Sequence, residues 1–149
     1  MRRCLPGTFA LILAMAPAAP AAGEPRLALV VNQDSGVGPM GLEEVRDLFL
    51  GRQKRLASGV PALPVEQGQP PEVRAAFYRL LTRKTVAEIN AYWARLVFTG
   101  QAHPPRQAAS AEEVIRTVAA NRGAIGLLQW SEPDRRVKVV LTLDPKEAP

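Results

Sequence analysis

The stretch from Arg26 to Phe77 constrains the fold most, because it spells an apolar strand, a glycine-rich polar loop, an amphipathic helix, a second short strand and the start of a second helix. Arg26-Leu27-Ala28-Leu29-Val30-Val31-Asn32 holds an unbroken β-favouring apolar run. A run without polar alternation must be covered on both faces, as central or parallel strands are. The loop Gln33-Asp34-Ser35-Gly36-Val37-Gly38-Pro39 leads into a helix over Leu42–Leu50, which Gly51 stops. That helix places Leu42, Val45, Leu48 and Phe49 on one stripe and turns Glu43, Glu44, Arg46 and Asp47 to water, as a helix lying on a sheet requires. Glu43 and Glu44 also suit the positive N-terminal end of a helix. The order of pieces belongs to an α/β domain.

The chain opens with Arg2 and Arg3, continues into the apolar block Phe9–Ala16 and ends that region in small residues through Ala19-Pro20-Ala21. These are the three zones of a secretory signal peptide, expected over residues 1–22. The block is far short of the roughly 20 apolar residues that a spanning helix needs, so no membrane insertion is expected after cleavage. Cys4 precedes the block, whereas a lipid-bearing cysteine follows it. Arg2-Arg3 also permit a twin-arginine signal, but the residues after Arg3 match it poorly, which favours ordinary secretion. Periplasmic localisation follows as the expectation. Cys4 is the single cysteine of the 149 residues, so the chain after the leader has no disulfide, thiolate nucleophile or cysteine metal ligand. Removing Arg2 and Arg3 lowers the formal charge from +5 to +3. A modest positive balance favours anionic ligands, but the basic residues are scattered and aromatics are few. Nucleic-acid binding wants a concentrated basic stripe with stacking rings, so no nucleic acid is expected as a partner.

Further along, Ala62-Leu63-Pro64-Val65-Glu66 reads as a short strand, and Pro64 suggests an edge position or a strand start. A helix is expected from Pro71, with Val73, Ala76, Phe77, Leu80 and Leu81 inward. Thr85-Val86-Ala87-Glu88 has capping-box spacing and opens a helix carrying Ile89, Tyr92, Trp93, Leu96 and Val97, stopped at Gly100. The segment around Pro104-Pro105 is too proline-rich for regular structure. Ser110-Ala111-Glu112-Glu113 repeats the capping-box spacing before a helix with Val114, Ile115 and Val118 inward. Ala124–Leu128 reads as a buried strand and Arg136–Leu143 as a final one. One domain is expected over residues 26–143, with residues 144–149 a frayed, disordered tail.

The run "LALVVN", the helix and stop "LEEVRDLFLG", then "RAAF", "NAYWARLVFTG" and "NRGAIG" together resemble one lobe of the phosphate-binding proteins of ABC transporters. More closely, they resemble the small single-lobe proteins grouped with them. The resemblance runs from Leu27 to Leu143. It implies a single lobe like that of a type II periplasmic binding protein, with a central mixed sheet flanked by helices. It also implies a non-catalytic role, no cofactor, and as partners a small oxyanion or a membrane transporter or sensor protein.

These lobes hold phosphate with backbone N–H groups at helix N-termini, where free donors and the helix dipole point the same way. In the phosphate binders a Ser-Gly-Thr triplet directly precedes a basic residue, with a phenylalanine three places on. Arg74 and Phe77 keep that spacing, but the triplet is replaced by Pro71-Glu72-Val73, which removes both hydroxyls and one N–H and adds a carboxylate. The candidate ligand-binding residues are Asn32, Ser35 and Gly36, with Gly38 beside them, in the loop after the first strand; Gln67, Gly68 and Gln69 before the second helix; and Arg74 on it. Against each stands an ordinary reading. A polar glycine-containing turn is usually just a turn, and Arg74 can pair with Glu72 or another carboxylate as well as with an anion. His103 is the single histidine and sits beside prolines, so a metal centre or histidine triad has nothing to draw on. Tyr92 and Trp93 have core spacing. Glu43-Glu44 and Glu112-Glu113 are adjacent on helices and point apart, so neither is an acid–base pair. No enzyme activity is expected.

Overall fold

The structure, a computed structural model, describes residues 23–146. The expected leader and the last residues of the tail, 147–149, lie outside that range. The chain runs β1 (Leu27–Asn32), α1 (Leu42–Phe49), β2 (Leu63–Gln67), α2 (Pro71–Thr82), α3 (Val86–Phe98), β3 (Arg106–Ala108), α4 (Ala111–Ala120), β4 (Ala124–Gln129) and β5 (Val137–Leu143). The strands form one mixed sheet in the order β3-β2-β4-β1-β5.

β1 is buried along its whole length, as its unbroken apolar run demands. It lies between β4 and β5 and is antiparallel to both. Successive side chains of a strand point to opposite faces. Leu27, Leu29 and Val31 accordingly join the core under α1, α2 and α3, together with Phe49, Phe77 and Trp93. Val30 joins Val65, Val114, Val118 and Leu128 under α4 on the other face. The pairing of β1 with β5 shifts between Leu29 and Val30. Val140 is the residue passed over, and its carbonyl accepts the Met40 N–H at 2.9 Å.

α4 lies close on the sheet because β4 carries Gly126. A Cβ there would meet Val114 Cγ1 at 2.6 Å and Val118 Cγ2 at 2.9 Å. Gly51 stops α1 in the left-handed region, at φ +71°, and a Cβ would stand 2.8 Å from Trp93 Cη2. This position therefore demands glycine for both conformation and space.

The capping box at Thr85 is complete. Thr85 Oγ1 accepts the Glu88 N–H at 3.3 Å, and Glu88 Oε2 accepts the Thr85 N–H at 2.8 Å. At α4 only half of it forms. Ser110 Oγ accepts the Glu113 N–H, but the Glu113 carboxylate reaches one residue further back, to the Ala109 N–H at 2.8 Å.

Of the two positions expected for Pro64, the strand start holds, since it is the second residue of β2, and the edge does not. β2 is an interior strand, parallel to β3 on one side and β4 on the other. Pro64 is tolerated because the Leu63 N–H donates to Gly123 O on the β4 side. The pleat then turns the Pro64 nitrogen toward β3, where pairing begins only at Val65. The edge role belongs to β3, a short strand directly after Pro104-Pro105, where no regular structure was expected. On α3, Val97 is half exposed instead of inward, and Phe98 is 92% exposed. At the tail, Asp144 pairs with Arg26 at 3.6 Å and its side chain accepts the Lys146 N–H.

Candidate functional site

Because β1 alone runs against the other strands, the loop after β1 and the loop after β2 emerge at opposite ends of the sheet. A strand of this length spans about 20 Å. The seven candidate residues therefore do not meet in one site.

At the β1 end, the Asn32 side-chain amide donates to the Val118 and Ala119 carbonyls at 3.0 and 2.7 Å, closing the C-terminus of α4. Its Oδ1 accepts the Asp34 N–H at 2.8 Å. Ser35 is buried, and its Oγ accepts the Val37 N–H at 3.2 Å. Gly36 supplies a positive φ of 72°. Asn32 and Ser35 thus spend their polar atoms inside a turn and a helix cap.

The β2 end is built around the first turn of α2. Gln67 is buried, and its Nε2 donates to Gln69 O at 2.7 Å and Glu132 Oε1 at 3.4 Å. The Gly68 N–H is taken by Ala108 O. Pro70 occupies the N-cap and offers no side-chain acceptor, and Pro71 at the first helical position has no N–H to give. A cleft of about 490 Å³ opens at this helix end, with Glu24, Pro70, Glu72, Val73 and Arg79 in its wall. Glu24 forms an ion pair with Arg79. The walls thus present two carboxylates, and the guanidinium among them is already engaged.

Arg74, the residue that would greet an anion here, turns inward. Its Nε lies 3.1 Å from Glu66 Oε1, and its Nη2 donates to Asn90 Oδ1 at 3.1 Å. The guanidinium centre stands 5.3 Å from the centroid of the Tyr78 ring. Arg74 therefore pairs with Glu66 rather than with Glu72 or a surface acid. The Glu66 side chain is 1% exposed. Burial pushes its carboxyl above the ordinary carboxylate range, opposed by the Arg74 charge and by the neighbouring Tyr78 and Gln107 side chains. Burial, and then the Glu66 charge, likewise raise the Tyr78 hydroxyl. Glu66 Oε2, Tyr78 Oη and Trp93 Nε1 are buried without a hydrogen-bond partner of normal geometry.

Sequence reasoning missed Glu66, Tyr78 and Asn90 as members of this cluster. No local signal marked them: only the interior place of β2 between β3 and β4, beneath α2, buries Glu66.

Elsewhere the ordinary readings describe what is seen. His103 is exposed in its loop. The Tyr92 hydroxyl donates to Leu50 O at 2.6 Å, and Trp93 is buried. Trp130, half exposed, carries the Arg26 guanidinium 4.3 Å above its ring centroid. Among the described residues no cluster of His, Cys, Asp and Glu could hold a metal ion. None of their helices is long and apolar enough to cross a membrane.

No family model matches the chain, and no curated protein matches it. Solved structures do. A putative phosphate ABC transporter substrate-binding protein with bound phosphate from Clostridium perfringens superposes with a TM-score of 0.61 at 17% identity, over 78% of this chain and 45% of that one. An ABC-type phosphate transport receptor from Vibrio cholerae gives 0.60 at 18% identity, over 78% and 46%. PstS from Borrelia burgdorferi gives 0.57 at 11%, over 78% and 47%. The described residues share the α/β fold of one part of these binding proteins. The chain spans less than half the length of each of these proteins. The expected single α/β lobe, with a central mixed sheet flanked by helices, is what the described residues form. Within this fold, the N-terminus of α2 is lined by acids and Arg74 is withdrawn from it.

Proposed function

We propose that this chain is an exported, non-catalytic binding-protein-like lobe that has given up phosphate binding at α2 and serves to recognise a protein partner, a membrane transporter or sensor. The observation that carries the reading is the buried Glu66–Arg74 pair behind a first turn of Pro71-Glu72-Val73. An anion drawing Arg74 outward would strand Glu66 in the interior, and stripping one partner from a buried pair costs about 3–5 kcal/mol. It would also meet Glu72 and Glu24 at close quarters, where like charges repel. Fold likeness says nothing against such a change, because function resides in sites grafted on a fold.

Isothermal titration tests this. The wild-type chain should give no saturable heat with millimolar phosphate or sulfate, whereas the triple variant Pro71→Ser, Glu72→Gly, Val73→Thr should gain measurable affinity. Crosslinking in the periplasm should trap a membrane protein. Saturable phosphate heat from the wild type would replace this reading with weak oxyanion binding.

A further inference from the structure

A second cleft, somewhat larger than the one at the α2 N-terminus, lies at the other end of α2, roughly 15 Å along the helix from its first turn. It holds about 550 Å³, within the roughly 300–1,000 Å³ typical of small-molecule sites. Its walls come from three places: α1 and the turn after it, the α2–α3 junction, and the end of β5. Leu50, Leu80, Leu81, Ile89, Tyr92 and Leu143 make them largely aliphatic, and Arg46, Arg52, Arg83 and Lys84 stand around them.

Asp144 is the one carboxylate in the lining, and it faces Arg26. The acids beside the lining engage Arg46 and Arg52 only loosely: Arg52–Asp47 at 3.6 Å, Arg46–Glu43 at 3.5 Å and Arg46 Nε–Asp47 at 3.9 Å. Long, solvated pairs of this kind bind weakly, so a carboxylate presented from a partly apolar cleft can displace them. Arg46 Nε is buried and makes no hydrogen bond. Lys84 is exposed at the rim. Glu88, the nearby acid on α3, is occupied in the Thr85 cap.

We propose that this cleft binds a single-chain amphiphilic anion, a long alkyl carboxylate with its chain against the leucines and its head among the cations. A free inorganic anion would have no use for the aliphatic walls, a neutral lipid none for the cations, and an alkyl cation would be repelled. The site is separate from the one at the α2 N-terminus and does not depend on whether that one binds phosphate.

The test is a methyl-NMR titration of the full chain with dodecanoate below its micelle concentration, beside dodecylammonium, dodecanol, butyrate and phosphate. Dodecanoate should shift Leu80, Leu81, Ile89 and Leu143 saturably at one-to-one stoichiometry, and dodecanol should bind at least tenfold more weakly. Arg52→Glu with Lys84→Glu, both exposed and so tolerated by the fold, should weaken dodecanoate at least tenfold. Leu80→Trp, which fills the cleft and keeps its charge, should abolish the shifts. Four results would overturn the proposal: equal binding of dodecylammonium, affinity unchanged by the double reversal, shifts that persist in Leu80→Trp, or none in the wild type. Phosphate shifts confined to the Val73 methyls would overturn the loss of phosphate binding proposed above and leave this cleft standing.

Discussion

Two ion clusters sit on opposite faces of the sheet and use the same chemistry to opposite effect. Under α2, Arg74 holds Glu66 in the interior through one Nε contact at 3.1 Å. Over α4, Arg136 grips Glu112 with both Nη atoms, at 2.9 and 2.7 Å, and Asp134 with Nε and Nη2, at 3.0 and 2.7 Å. The second set has the better hydrogen-bond geometry. Its hydrogen bonds hold the Glu112 and Asp134 carboxyls below the ordinary range and raise Arg136. Glu66 moves the other way, because lost hydration outweighs the arginine beside it. Exposure, rather than the number of contacts, decides what each pair does for the fold: the buried pair is costly to break, and the exposed one is cheap to lose.

The sharpest way to break this contrast is Arg74→Ala. It leaves Glu66 charged or forced to protonate in an apolar site, and should cost about 3–5 kcal/mol in urea unfolding. Glu66→Leu with Arg74→Leu removes the charges together, and should fall between neutral and about 1–4 kcal/mol more stable than wild type. If the double variant is as unstable as Arg74→Ala, the pair itself stabilises the fold, and the reading of Arg74 as a counter-charge for Glu66 fails.

A smaller effect lies in pH. The folded-state value of Glu66 lies above its ordinary 4.5, so the native chain keeps the proton longer than the unfolded one. The stability tied to this group is intact below the ordinary carboxylate range. It is lost as pH rises from there through the raised value, and it is level above. Glu112 and Asp134 are lowered, so their contribution is present above the ordinary range and is lost as pH falls. Thermal midpoints across this range should show the fall with rising pH vanish in Glu66→Gln and persist in Glu112→Gln. Persistence of that fall in Glu66→Gln would assign it to another group.

The same contrast explains what the sequence revealed. Unbroken or one-sided apolar patterns announce themselves, so β1, α1 and the two capped helices α3 and α4 stand close to where their periodicity puts them. Lateral order does not announce itself. Nothing local in Pro64 says that a three-residue strand after Pro105 will pair beyond it, nor that Glu66 will be sealed under α2. The candidate site suffered most, because Asn32 and Gln67 read alike as polar strand ends. Only the antiparallel direction of β1 separates them by the width of the sheet. Arg74 kept a recognisable spacing, but its partner is eight residues away on a strand rather than next to it.

The smallest predicted effect is also the one that tests exposure most directly. Arg136 and Glu112 are 41% and 57% exposed. Water already solvates both, holding two long side chains in one geometry costs rotamer entropy, and salt competes for each. Arg136→Ala should lower the thermal midpoint slightly in low-salt buffer. At 1 M salt, where charges are screened beyond about 3 Å, the difference from wild type should close. Arg74→Ala should keep its full deficit there, since ions do not reach Glu66 beneath α2. A salt-independent loss in Arg136→Ala, comparable to that of Arg74→Ala, would mean that contact geometry governs after all and that the contrast between the two faces is false.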